Sequence, residues 1–198
     1  MFRTHGRAVR AASAALTSLV LVAVLGACSD DGSDAGPGDD SAAPAEASPG
    51  IRTTVAIGTV SGRLAKKERA RLRRQVGAAV DRWIDAAYVG GDYPRTDFSR
   101  AFRGFSKDAA ALAQRDRRLM SNAAVGERVE SVTATARKLT IDVLAARGRA
   151  VGATGRFVLV LDLTGEVQRT DRIAGRLFLS PPGGWQVFGY DVKRGRVA

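Results

Sequence analysis

A chain of 198 residues holds one domain plus processing segments, and its 45% hydrophobic and 26% charged residues are those of an ordinary globular protein. The net charge is +11, carried by arginine far more than lysine, a bias that tracks high-GC bacterial coding better than bidentate phosphate recognition. One histidine, His5, and one cysteine, Cys28, leave nothing further along for a disulfide, a Cys/His zinc site, a thiol nucleophile or a Ser-His-Asp triad. With no Asp-x-Asp-x-Asp-Gly loop either, no metal and no cofactor is expected.

Arg3, Arg7 and Arg10 form a positive opening, and Ala11 to Leu25 is a charge-free apolar run. This is the layout of a secretory signal, and the run is shorter than the ~20 residues that span a bilayer as a helix. It ends in Leu25-Gly26-Ala27-Cys28, which resembles the lipobox of bacterial lipoproteins. The resemblance implies that residues 1–27 are a signal peptide removed before Cys28, whose thiol receives a diacylglycerol. Two acyl chains suffice for stable anchoring without spanning. The protein is then expected on the outer face of the cytoplasmic membrane, with the membrane itself as its first partner.

Residues 28–50 (CSDDGSDAGPGDDSAAPAEASPG) carry six acids and no base. With no large apolar residue and no periodicity, they read as a disordered acidic linker. Residues 51–198 hold 28 basic and 14 acidic residues, a net of +14, and are expected to form the α+β globular domain.

Within that domain, Ile51 to Gly62 is β-prone and broken by glycines, a short edge strand or an extended arm. From Leu64, apolar residues at Leu72, Val76, Ala79, Val80, Trp83, Ile84, Ala87 and Tyr88 recur at helical spacing. Ser61 is the candidate N-cap of this helix and Gly90-Gly91 its stop. Its first half is crowded with Lys66, Lys67, Arg69, Arg71, Arg73 and Arg74. Those six read either as a patch directed at anionic lipid or wall polymer, or as the solvated face of a surface helix. Nucleic acid is not an expected partner of an exported protein. Pro94 marks a turn, Phe98 to Phe105 a short aromatic helix, and Lys107 to Met120 a third helix capped near Ser106 or Asp108.

Beyond residue 123 the period changes from 3.6 to 2. Five strands are expected, near 127–136, 138–147, 154–164, 167–180 and 184–192. Phe157-Val158-Leu159-Val160-Leu161 is apolar at every position, which suggests a central strand covered on both faces. The glycine and proline turns between strands demand antiparallel pairing. Arg156, Arg169, Arg172 and Arg176 would form a basic stripe on the sheet.

Helices followed by an antiparallel meander resemble the nuclear transport factor 2-like (cystatin-like) α+β cone. The residues that carry the resemblance are the helix ending Trp83-Ile84-Asp85-Ala86-Ala87-Tyr88, the aromatic second helix, and the closing hairpin Gly184-Trp185-Gln186-Val187-Phe188-Gly189-Tyr190-Asp191-Val192. The layout is also similar to the membrane-anchored domains beside Mce-type lipid importers, which use a transmembrane helix where this chain has Cys28. The resemblance implies N-terminal helices packed on a curved antiparallel sheet, with an apolar pocket lined by Trp83, Tyr88, Phe98, Phe102, Trp185 and Tyr190. The other reading of those aromatics is plain core, the commoner role of aromatics at helical and strand spacing. A non-catalytic envelope lipoprotein that binds an apolar ligand or a partner protein is the expected function. An isomerase or dehydratase of the superfamily's kind would need a base beside a polarising donor, for which only carboxylates and tyrosines could serve, for example Asp85, Asp142 or Asp162 with Tyr88 or Tyr190.

Overall fold

In a computed structural model of the chain, which describes residues 51–197, one face of a five-stranded sheet carries all the helices. Strand β1 (Thr54–Ser61) leads into helix α1 (Lys66–Ile84), which widens into a π-helical turn at Asp85–Val89. Two short helices follow, α2 (Lys107–Arg115) and α3 (Arg117–Met120), and a 3₁₀ turn at Gly126–Arg128. The chain then runs through β2 (Ser131–Ala146), β3 (Arg149–Thr164), β4 (Arg169–Ser180) and β5 (Gln186–Arg196). The buried hydrophobic residues run from Leu64 to Val192, so a chain of residues 46–198 carries the whole core.

The strand order is β1-β2-β3-β4-β5. Strands β2 to β5 form the expected antiparallel meander, but β1 lies parallel to β2. The sheet is therefore mixed. Parallel neighbours need a long crossover, and the entire helical segment supplies it. The N-terminal β-prone stretch is an edge strand, not a free arm. Ser61 is its last residue and caps nothing. Helix α1 starts after Ala65 without a side-chain cap, whereas Ser106 does cap α2, accepting from the Ala109 backbone N–H at 3.4 Å.

Two expected strands, 127–136 and 138–147, are one sixteen-residue strand. The adjacent charges Arg137 and Lys138 do not interrupt it, since they point to opposite faces. A two-residue turn, Arg147-Gly148, with positive φ at both positions (50° and 75°), closes β2 onto β3. This handedness matches the twist of the flanking strands. Phe98 to Phe105 is a succession of tight turns instead of a helix. Its end is committed to the sheet, since Ser106 donates to the Val187 carbonyl at 2.8 Å and Val187 to that of Gly104 at 3.0 Å. The third expected helix is divided at Asp116 into α2 and α3.

The core lies between α1 and the sheet. Phe157, Leu159, Leu161 and Leu163 of β3, Leu139, Ile141 and Val143 of β2, and Ile173, Leu177 and Leu179 of β4 all face it and are buried. Val158 and Val160 face the other way and are half-buried, so β3 is covered by helices on one side only. Their cross-strand neighbours explain the apolar run. Val158 lies between Lys138 and Ala174, and Val160 between Ala136 and Arg172, whose long stems cover apolar surface while the charges reach water. Ladder irregularities at Ala134/Ala136, Leu144/Ala145, Ile57/Val60 and Phe178/Leu179 bend the strands, as bulges do.

Candidate functional site

The aromatics expected to line a pocket are mostly packed against one another. The Trp83 ring meets Tyr88 edge-on at 5.5 Å, Phe157 at 5.2 Å and Phe105 at 6.1 Å, while Phe105 also meets Phe102 at 5.4 Å and Tyr190 at 6.5 Å. Such offset contacts add ~0.5–1.5 kcal/mol per pair to the area buried. Tyr88 is fully buried, its hydroxyl donating to the Leu119 carbonyl at 2.7 Å. Burial pushes that hydroxyl pKa up, against the pull of Arg194. Phe98 is buried beneath the Arg95 guanidinium, 4.2 Å from its ring. Tyr190 is half-buried and donates to Asp116 at 2.8 Å; burial and that bond raise its pKa. Tyr88 and Phe98 are therefore buried in the helix–sheet interior, and the half-buried Phe102 and Tyr190 pack against it. Trp83 and Trp185 alone of the six border an opening, on the outside of the fold.

The carboxylate–tyrosine pairs that an isomerase would need are not assembled. Asp85 binds Arg137 at 2.9 Å. Asp142 lies on the open face, bound by Arg156 at 2.7 Å. Arg156, and then the Thr59 backbone N–H, hold its carboxyl below the usual range. Asp162 accepts from Thr170 at 2.7 Å. None of these touches Tyr88 or Tyr190, whose hydroxyls have other partners.

Sequence reasoning missed the charged groups that the interior does hold. Arg137, buried, reaches from β2 to α1, binding Asp81 at 3.0 Å as well as Asp85, and donating to Thr53 Oγ1 at 3.0 Å. Asp171, also buried, is gripped by Arg169 at 2.9 Å and Arg194 at 2.6 Å. Arg194 continues to the Ser121 carbonyl at 2.9 Å and to Asn122 Oδ1 at 2.8 Å, while Asn122 donates to the Tyr88 carbonyl at 3.1 Å. The signal was parity. Arg137 shares the inward face with Leu139 and Ile141, Asp171 with Ile173 and Leu177, and Arg194 with Tyr190 and Val192. A charged residue at an inward position must find a partner there. Arg169 joins this inner group, so the supposed stripe keeps only Arg156, Arg172 and Arg176 on the open face. Two of these are paired, Arg156 with Asp142 and Arg176 with Asp191 at 2.6 Å.

Comparison with protein-family models, with curated proteins and with solved structures returned no match. Function has to be read from the surface.

Three surface features stand out. On the open face, a shallow depression of about 440 Å³ is bordered by Leu144, Phe178, Phe188, Gly152, Thr154 and Asp142, and Leu144 and Phe188 are 58% and 55% exposed. On the helical side, a groove of about 410 Å³ runs between the second half of α1, the 100–104 turns and the β4–β5 hairpin, bordered by Trp83, Trp185, Arg82, Arg100 and Arg103. The third is the basic half of α1, where Lys66, Lys67, Arg69, Arg71, Arg73 and Arg74 are all exposed. These six do not form one stripe. Arg71 faces a depression shared with Arg147 and Arg149, while Arg73 and Arg74 border another with Arg52. Cys28 lies outside the described residues.

Proposed function

We propose that this chain is a lipid-anchored, non-catalytic binding module of the bacterial envelope, held at the outer face of the cytoplasmic membrane through Cys28 and docking a partner protein on the open face of its sheet. Its domain is read as a nuclear transport factor 2-like cone whose interior is closed. The observation that carries the docking surface is the convergence of Leu144, Phe178 and Phe188 at one end of the uncovered face. Isolated exposed hydrophobics need no explanation, but a contiguous cluster rimmed by polar groups marks an interaction site. The ion pairs Asp142–Arg156 and Arg176–Asp191 supply the polar rim. The net +14 of residues 51–198 opposes a second copy and favours an acidic partner.

The filled aromatic interior and the separation of Asp85, Asp142 and Asp162 from both tyrosines support a binding role over an isomerase or dehydratase. Adhesion of the basic helix to anionic lipid or wall polymer draws less support, because its charges are divided among different flanks.

The test uses membranes solubilised in mild detergent and resolved by native electrophoresis. The wild-type protein is expected in a complex larger than the monomer, and the L144D/F188D double variant as the monomer with an unchanged circular dichroism spectrum. C28S is expected to leave the membrane fraction. A wild-type monomer, or a complex that survives L144D/F188D, overturns the docking surface. If light scattering of the purified 46–198 chain shows a dimer that L144D/F188D dissolves, the occupant is a second copy instead.

A further inference from the structure

The groove between α1 and the β4–β5 hairpin combines two chemistries that seldom share a surface by default. Its walls include the chain's only two tryptophans, Trp83 and Trp185, with Ala79, Ala86 and Ala101 between them. Its charged members are Arg82, Arg100 and Arg103, and no acidic residue borders it. None of the three arginines has an ion-pair or side-chain hydrogen-bond partner among the described residues. By contrast Arg137, Arg156, Arg169, Arg176 and Arg194 are all paired with carboxylates. Three guanidiniums with five donors each, aimed by default at water, are suited to a planar or tetrahedral oxyanion. Trp83 borders the groove while only 3% exposed, so the half-buried Trp185 offers the larger indole surface to it.

The size of the groove, about 410 Å³, falls in the range of small-molecule sites. It is too apolar for a bare anion and too basic for a neutral hydrocarbon. We propose that it binds an amphiphilic anion, a phosphate or carboxylate head on an apolar chain. The head lies among Arg82, Arg100 and Arg103, and the chain along the indole of Trp185 and the alanines of α1 and the turn. This site is separate from the sheet face proposed for the partner, and it stands whether or not that face docks anything.

Because both tryptophans border the groove, intrinsic fluorescence reads the site directly. The 46–198 chain, which contains the complete core, is titrated with decyl phosphate, decanoate, decanol and inorganic phosphate. Decyl phosphate and decanoate are expected to shift the emission to the blue with one-to-one saturation. Decanol and inorganic phosphate should each bind at least about tenfold more weakly, since each lacks one half of the recognition. R100A/R103A removes two exposed side chains with no structural partners. It should weaken decyl phosphate by about tenfold or more, with the ligand-free emission maximum unchanged as the check on folding. K66A/K67A removes the same charge elsewhere and should leave the affinity within about twofold, which separates local recognition from net charge.

Vesicles of phosphatidylcholine with and without phosphatidylglycerol identify the source of the ligand. A blue shift from phosphatidylglycerol vesicles that R100A/R103A abolishes points to a lipid headgroup. A shift seen with monomeric decyl phosphate alone points to a free amphiphile. The proposal fails if decanol or inorganic phosphate matches decyl phosphate, if R100A/R103A binds as the wild type does, or if no ligand moves the emission.

Discussion

The buried carboxylate of Asp171 makes a demanding test of how this interior is held together. Arg194 satisfies it from β5 and, with the same guanidinium, ties β5 to the carbonyl of Ser121 and to Asn122 Oδ1 on the segment after α3. In Arg194→Met the apolar stem is kept and the charge is lost. Asp171 retains the two bonds from Arg169, at 2.9 and 3.1 Å, so its charge is still compensated. The loss of one partner of a buried pair then costs about 3 kcal/mol, the low end of its range. Asn122 Oδ1, fully buried, is also stranded, adding roughly 1 kcal/mol. The expected destabilisation is about 4 kcal/mol out of a total of ~5–15 for a domain of this kind. For a domain of about 150 residues that corresponds to a fall in Tm of roughly 8–16 °C. Urea titration followed by tryptophan emission, with thermal circular dichroism beside it, measures both quantities. Replacing Asp171 by Leu in the same chain removes the buried charge, while Arg169, partly exposed, can turn to water. The double variant should therefore recover about half of the loss. A loss below about 1 kcal/mol for R194M, or a double variant no better than the single, would refute the reasoning.

The Arg137 site should behave in the opposite sense. Its carboxylates are 37% and 54% exposed in Asp81 and Asp85 and can rehydrate, so R137M should cost only about 1–2 kcal/mol, whereas D81N/D85N, which leaves the buried guanidinium unpaired, should cost about 3. Gly175 faces Phe157 across the β3–β4 ladder, and a Cβ there would lie 2.1 Å from the Asp191 carbonyl oxygen. Gly175→Ala should lower unfolding free energy by roughly 2–3 kcal/mol, while Gly195→Ala, with nothing within 4 Å, should change it by under about 0.5. Tyr88 bears on alkaline stability. The unfolded chain loses that proton near pH 10 and the folded one holds it beyond, so its contribution is complete below pH 10 and declines as pH rises above it, by up to about 1.4 kcal/mol per pH unit. Urea titrations of Y88F between pH 8 and 11.5 should show a shallower decline, starting about 1 kcal/mol lower for the lost bond to Leu119.

The elements that sequence reasoning located were those whose signal is local. The three- and four-residue spacing from Leu72 to Tyr88 is a direct image of the buried face of α1, and the alternation in β3 and β4 identifies their inward residues. What it missed depends on partners far along the chain. Nothing in Thr54–Ser61 distinguishes a parallel neighbour from an antiparallel one, because the choice is made by β2, some eighty residues later. Arg137 is buried within β2 because α1 offers it the carboxylates of Asp81 and Asp85, which the local apolar pattern does not reveal. A list of aromatics does not tell a filled interior from an open one. The open-face cluster had no signature either: Leu144 and Phe188 come from opposite edges of the meander and meet only across β3 and β4.

The parallel pairing of β1 has a mechanical consequence. The chain enters the sheet at Thr54, opposite Lys138, and Ser61 at the other end lies opposite Leu144, at the cluster on the open face. Those ends are about 23 Å apart along an extended strand. With the anchor and the partner placed as proposed above, a load between Leu144 and a tether upstream of Thr54 would be directed along β1. The backbone hydrogen bonds joining it to β2 would then share the force in shear, instead of opening one after another. An edge strand so loaded would act as a strain relief, resisting tension that would otherwise peel the domain apart.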